Sequence, residues 1–308
     1  MTTLFYSHQA FMGHDAGPGH PENAGRLQTL LDRVAKQDPI GLDRREAPLG
    51  TAEQIDRIHV PGYREQLLAA VPQQGHVRID ADTVLSPGSG EAGLRAVGGV
   101  CAAIDAVIAG EAENAFCASR PPGHHAEPNR PMGFCLFSTV AIGAAHARAA
   151  HGIRRVSIID FDVHHGNGTE AAFRSERDVQ YLSTHQWPLF PGTGARGETG
   201  VGNVVNVPLP AGTGSGAFRE AVETDILPAI EAFAPELILV SAGFDAHKAD
   251  PLATMRLEEA DFAWITRAVR DLAERHSQGR IVAVLEGGYD PVALAASAWA
   301  HLDVLLGT

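Results

Sequence analysis

No run of apolar residues in this chain approaches the roughly 18 that a membrane span needs. The stretch Met1-Thr2-Thr3-Leu4-Phe5-Tyr6-Ser7-His8 has neither the basic region nor the apolar block of a secretory signal. A membrane-embedded or exported protein is therefore not expected, and the chain reads as cytoplasmic. Cysteine is scarce: Cys101, Cys117 and Cys135 are an odd number without Cys-x-x-Cys spacing. That excludes a disulfide framework and leaves three small buried apolar side chains. Positive charge is scarce too, with lysine only at Lys36 and Lys248 and a net charge of −13. A nucleic-acid backbone needs a basic footprint, so it is excluded as a partner, and a cationic or neutral substrate fits better.

What is present is an ordinary globular composition, 44% hydrophobic and 20% charged over 308 residues, enough for one large α/β domain spanning 1–308. A strand at 4–7 runs into a Gly- and Pro-rich loop, 13–23, and Asn23 caps a helix over Ala24–Lys36 in which Leu27, Leu30, Leu31 and Val34 keep a helical period. The histidines around this loop fit no standard metal spacing and read as ordinary loop hydrogen bonding. A helical region over 52–71, broken near Pro61-Gly62, precedes a loop at 80–90 and an Ala- and Gly-rich helix, Glu91–Ile108. Further strands are expected at 115–118, from Ser157, and at 179–185, 204–209, 236–242 and 281–285, with helices at 138–150, 218–233, 257–275 and 291–306. This alternation predicts an α/β fold: one open, mostly parallel sheet flanked by helices on both faces.

The stretch Ser157-Ile158-Ile159-Asp160-Phe161-Asp162-Val163-His164-His165-Gly166-Asn167-Gly168 starts apolar and ends in carboxylates, imidazoles and glycines. That is how a buried parallel strand reads when its C-terminal end opens into a site. Asp162 and His164 alternate along an extended chain and are expected on one face. The same design recurs where an apolar run delivers Asp245, and again where one delivers Tyr289 past two glycines, while Pro121-Pro122-Gly123 holds His124 and His125 on a stiff loop. Ligands bind at such strand ends in open α/β sheets. Asp162, His164 and Asp245 would supply two oxygens and a nitrogen and leave a position open, which suits catalytic zinc; iron(II) and cobalt(II) also suit this set. His124 and His125 could then exchange protons, and Tyr289 could donate to an oxyanion.

The segments Arg120-Pro121-Pro122-Gly123-His124-His125, Asp160 to Gly168, Phe190-Pro191-Gly192-Thr193-Gly194, Ala242-Gly243-Phe244-Asp245 and Glu286-Gly287-Gly288-Tyr289 resemble, in this order, the histone deacetylase superfamily. That superfamily includes bacterial histone deacetylase-like amidohydrolases and acetylpolyamine amidohydrolases and shares its fold with arginases. The resemblance implies Asp162, His164 and Asp245 as zinc ligands, His124 and His125 as the catalytic pair, Asp160 orienting His124, and Tyr289 polarising the carbonyl. Asn167 stands where many members carry aspartate; an amide sets the tautomer of His125 without adding charge, which places the chain nearer the class II-like branch. The resemblance further implies an acyl-lysine tunnel walled by Gly133, Phe134 and Phe190 with Leu252 at its mouth. It also implies a monovalent cation, potassium, near Asp160, Asp162, Ser183 and the His164 and Thr184 carbonyls.

The implied activity is zinc-dependent hydrolysis of an N-epsilon-acyl-lysine amide in a protein or peptide. An acetylated polyamine or other small amide is the alternative substrate. Leu252 disfavours it where polyamine-specific relatives carry an acid, leaving Glu22 and Asp82 as neighbouring carboxylates that could read a distal ammonium. A non-catalytic acyl-lysine scaffold is a third reading, against which stand the six chemical residues, all present. A two-manganese arginase-like site disagrees with the His124-His125 pair. No motif reads out an oligomeric state.

Overall fold

The computed structural model describes residues 2–307. Its strands are β1 (Thr3–Ser7), β2 (Leu42–Glu46), a small antiparallel pair β3 (Val77–Arg78) and β4 (Val84–Leu85), β5 (Asn114–Cys117), β6 (Val156–Asp160), β7 (Val179–Gln186), β8 (Val204–Leu209), β9 (Leu237–Ala242) and β10 (Ile281–Leu285). All but the small pair form one sheet in the order β2-β1-β5-β10-β9-β6-β7-β8, and every neighbouring pair in it is parallel. The helices are α1 (Ala24–Gln37), α2 (Ala52–Ile55), α3 (Tyr63–Ala69), α4 (Ser89–Ile108), α5 (Thr139–His151), α6 (Asn167–Phe173), α7 (Ser215–Ala221), α8 (Leu227–Phe233), α9 (Glu259–His276) and α10 (Pro291–Leu306).

Successive strand residues feed two different cores, one on each face of the sheet. Phe5, Ile159, Val240 and Ala283 pack with α1, α9 and α10 through Leu27, Phe262 and Leu294. Their chain neighbours Leu4, Ile158, Leu239 and Val282 pack with α4 and α5 through Val100, Ile104 and Val140. Strands covered on both faces favour apolar residues on either side, which is why most of them read as nearly continuous runs. The edge strand β2, Leu42-Asp43-Arg44-Arg45-Glu46, was absent from the sequence reading because it pairs on one side only and carries charge that guards a free edge. The helix expected over 218–233 starts earlier and passes through a π turn, Val222–Ile226, which admits Pro228 without an intrahelical donor. Cys101, Cys117 and Cys135 are free and buried, as expected. Among the described residues no helix is long and apolar enough to cross a membrane.

The site's position follows from the strand order. The chain leaves β6 toward β7 on one side and leaves β9 toward β10 on the other, yet β6 and β9 are neighbours. A crevice therefore opens between their C-terminal ends.

Beneath it, His301 is buried beside Phe116, Phe161 and Phe244, with Nδ1 against the Thr266 hydroxyl at 2.7 Å. Burial pushes its pKa down to about 3. The unfolded chain therefore takes up a proton at this residue near its ordinary value while the folded one does not. His301 costs no stability above about pH 6.5, and stability is lost as pH falls from there toward 3. Replacing His301 with glutamine is expected to flatten the dependence of unfolding free energy on pH across that window by up to about 1.4 kcal/mol per pH unit, read from denaturant titrations.

Candidate active site

The side chains that stood at predicted strand ends meet in the crevice. Asp162 and Asp245 are fully buried and His164 nearly so. His164 Nδ1 lies 3.1 Å from Asp162 Oδ1 and 3.1 Å from Asp245 Oδ2, so the three candidate donor atoms surround one small volume. One expectation needs correcting. β6 ends at Asp160, so Asp162 and His164 lie in the turn beyond it, not on a strand. They still converge because Asp162 Oδ1 accepts the backbone N–H of His164 at 2.9 Å, and Asp245 Oδ1 accepts that of Val163 at 2.8 Å, curling the turn around the carboxylates.

The approach is so close that only glycine fits beside it. A Cβ on Gly287 would stand 2.0 Å from Asp245 Oδ2, and one on Gly243 would stand 2.1 Å from Asp162 Oδ2. Gly287 also donates its N–H to Asp162 Oδ2 at 2.8 Å. Two carboxylates this close and this dry cannot both be ionised comfortably without a cation. Burial and the neighbouring Asp162 charge push Asp245 up to about 7. Burial opposes ionisation of Asp162 as well, but His124 and His164 hold it far below its ordinary value. Burial alone would lower His164, yet its bonds to Asp162 and Asp245 raise it to about 10. The imidazolium is thus held where a metal ion's charge would serve, and the N and O donor set fits a divalent d-block ion.

His124 and His125 lie 4.0 Å apart between ring centroids, tilted at 44°, and differ in environment. His124 Nδ1 pairs with Asp160 Oδ2 at 2.9 Å, and Tyr181 donates to the same oxygen at 3.0 Å. Burial disfavours charge on His124, but Asp160, Asp162 and Glu286 outweigh it and hold the ring protonated. His125 Nδ1 faces Asn167 Oδ1 at 2.9 Å, and Asn167 Nδ2 donates to Glu127 Oε1 at 2.9 Å, which fixes the amide's orientation. Burial and the charges of His124 and His164 hold His125 well below its ordinary value. One imidazole of the pair is kept cationic and the other neutral. Tyr289, half-buried, is pushed up by burial and by the Asp245 and Asp162 charges despite Arg26, so its hydroxyl keeps its proton.

Gly133, Phe134 and Phe190 border the same volume. Phe190 is 40% exposed and meets His125 edge-on at 5.0 Å, while Phe134 meets Tyr289 edge-on at 5.7 Å. Gly133 and Phe134 both hold left-handed φ values, +58° and +67°. Their N–H groups donate to Asp82 Oδ1 and Thr83 Oγ1, both at 3.1 Å, so the turn between β3 and β4 sustains an unfavourable conformation at the wall. Leu252 is 38% exposed, and Asp250 ties it to Tyr289 by accepting the N–H of Leu252 at 2.9 Å and that of Tyr289 at 2.7 Å. Asp160 and Ser183 are direct neighbours across the β6–β7 ladder, and Thr184 follows Ser183 on the same strand.

Several supports escaped the sequence reading. Glu286 is buried and accepts the N–H groups of Gly123 and His124 at 2.6 and 3.1 Å, holding the histidine loop from below. Arg26 lies over the Tyr289 ring at 4.8 Å and donates to the carbonyls of Glu286 and Gly288. The one signal for it was a charge on the apolar face of α1, beside Leu27 and Leu30. Glu22 is buried against Arg120, Arg26 and His14, and although burial opposes it, Arg120 and His14 hold it ionised. It cannot read a substrate's ammonium; Asp82 is half-buried and accepts the N–H of Gly133 through Oδ1.

With this geometry in view, the relatives are informative. Residues 20–305 match the family model described as the histone deacetylase domain. The chain belongs to the histone deacetylase family. The histone deacetylase-like amidohydrolase of Pseudomonas aeruginosa is 40% identical over 99% of this chain and 86% of its own length. The chloroplastic histone deacetylase 14 of Arabidopsis thaliana is 37% identical over 99% and 77%. The solved HDA15 HD domain superposes with a TM-score of 0.94 at 32% identity, covering 100% of this chain and 89% of that one. The chain is thus a member of a family of metal-dependent, amide-hydrolysing deacetylases, with the α/β architecture of that fold.

Proposed function

We propose that residues 1–308 form one cytoplasmic catalytic domain that removes an acetyl or other short acyl group from the side-chain amide of acyl-lysine in a protein or peptide. The observation that supports this most is the convergence of Asp162, His164 and Asp245 beside one neutral and one charged imidazole at the foot of an aromatic-walled approach. Zinc held by Asp162, His164 and Asp245 would supply Lewis acidity, polarising the amide carbonyl and making water more acidic. Asp160, Asp162 and Ser183, with the His164 and Thr184 carbonyls, would hold potassium, whose charge offsets that of the buried carboxylates.

The remaining work falls to the chain itself. Phe134 and Phe190 cover the methylene stem over the bare backbone of Gly133, and apolar Leu252 sits at the mouth. Neutral His125 is in the state that accepts a proton from attacking water. His124, protonated against Asp160, stands beside it to assist protonation of the departing amine. The Tyr289 hydroxyl donates to the carbonyl oxygen as negative charge develops there.

An aspartate at position 167 would favour the imidazolium of His125 and withdraw the base. The variant Asn167→Asp, paired with Glu127→Gln to avoid facing carboxylates, is expected to move the acid limb of the kcat/KM profile to higher pH, measured across pH 5 to 9. The function itself is tested with zinc-loaded enzyme, acyl-lysine peptides of increasing acyl length and acetylated polyamines, each with and without a chelator. Chelator-sensitive peptide turnover is the expected result. Turnover of polyamines alone would move the assignment to small amines, and no turnover of either would sink it in favour of a binding scaffold.

A further inference from the structure

The C-terminal ends of α4 and α5 lie where the strands begin, at the other end of the sheet from the crevice, and carry a second group of metal-ligating side chains. Asp105 is on α4, and His146 and His151 are on α5, whose last residue is His151. Asp105 Oδ1 lies 2.6 Å from Nε2 of His146 and 2.6 Å from Nε2 of His151. The two rings stand 5.7 Å apart at 80°, reaching one oxygen from different sides. Three donor atoms so placed all lie within 4.8 Å of one another. His146 is buried, whereas Asp105 is half-exposed and His151 exposed, so an ion could enter from solvent and keep water in its remaining positions.

Arg57 makes the arrangement more than an ion-paired surface. Its NH1 lies 2.8 Å from His146 Nδ1, and its NH2 lies 2.8 Å from Glu53 Oε1. A guanidinium only donates, so His146 Nδ1 accepts and its proton sits on Nε2, facing Asp105. An ion on Nε2 requires the other tautomer, with the proton on Nδ1 where Arg57 now points. Arg57 must then withdraw, and Glu53 already holds its other nitrogen.

We propose that Asp105, His146 and His151 form a second, solvent-accessible site for a divalent d-block ion such as Zn2+, which staples α4 to α5 and competes with Arg57 for His146. Two imidazoles and a carboxylate suit zinc, nickel or copper over magnesium or calcium. The site touches none of the residues assigned to acyl-lysine hydrolysis and does not rest on that reading.

Equilibrium dialysis against buffered Zn2+, with metal counted per chain, tests it in four proteins: wild type, His151→Ala, Asp105→Asn and Arg57→Ala. The two ligand variants are expected to bind one equivalent fewer than wild type at unchanged turnover. Arg57→Ala should keep the wild-type count and fill the site at lower free Zn2+, by on the order of tenfold. Zn2+ should also raise the thermal midpoint of an Asp245→Asn protein but not that of Asp245→Asn combined with His151→Ala, which separates this site from the crevice. Equal metal counts in wild type and His151→Ala, or an affinity that does not rise in Arg57→Ala, would overturn the proposal.

Discussion

Replacing Tyr289 with phenylalanine is expected to lower kcat for acyl-lysine hydrolysis by about 10²- to 10³-fold, the usual cost of removing one donor to a developing oxyanion, while metal content stays at the wild-type level. The ring is held independently of its hydroxyl. Arg26 lies over it at 4.8 Å, Phe134 meets it edge-on at 5.7 Å, and Asp250 fixes its backbone N–H at 2.7 Å. Phenylalanine keeps all three contacts, so the substitution removes a single proton donor and little else. Because burial and the nearby carboxylates push the tyrosine pKa up, that donor is present across the working pH range. KM should change little, since the donor acts on charge that develops in the transition state. Single-turnover rates combined with metal analysis check both halves. Full turnover in the variant would remove Tyr289 from the mechanism.

The second large effect is expected at Asp245. Alanine there would remove a charged donor and also strand the buried N–H of Val163, at a cost of about 1–3 kcal/mol, so loss of function could be confused with loss of fold. Asparagine separates the two. Its carbonyl can still accept from Val163 N–H in the same space, but the donor set then carries one negative charge fewer against the raised His164. Asp245→Asn is therefore expected to fold with a near-native denaturant midpoint and to bind one metal equivalent fewer per chain at matched free zinc. Its turnover should fall by about 10³-fold or more, because an isolated amide barely hydrolyses without the Lewis acid. The check is metal analysis beside the unfolding curve. Wild-type metal content in a folded Asp245→Asn protein would mean that the ion is held elsewhere.

The elements that were legible in advance share a physical signature. β5, β6, β9 and β10 are mostly apolar on both faces because both faces are covered, and α1 announces itself by period and by its Asn23 cap. β2 and α6 were missed. One is a charged edge strand held by backbone bonds to a single neighbour, and the other begins inside Gly166-Asn167-Gly168, which reads as a turn. The site residues His124, His125, Asp160, Asp162, His164, Asp245 and Tyr289 stood out because chemistry-bearing side chains interrupt apolar runs. The supporting roles of Glu286, Arg26 and Asp250 did not, because these residues act on backbone groups far along the chain, such as Gly123 and Tyr289, and no local pattern reports such a partner.

The sequence by itself determined the parallel α/β class, the family and the cluster of strand ends at which acids and histidines gather. These depend on hydrophobic period and on short motifs, which are properties of neighbouring residues. Tertiary structure alone decided that Asp162 and His164 meet through a turn and not along a strand. It also decided that Glu22 is spent on Arg120 and Arg26, and that Asp105 on α4 faces His146 and His151 on α5. Each of these is a pairing between groups that only packing brings together, and the charge state of a buried group is set by those partners.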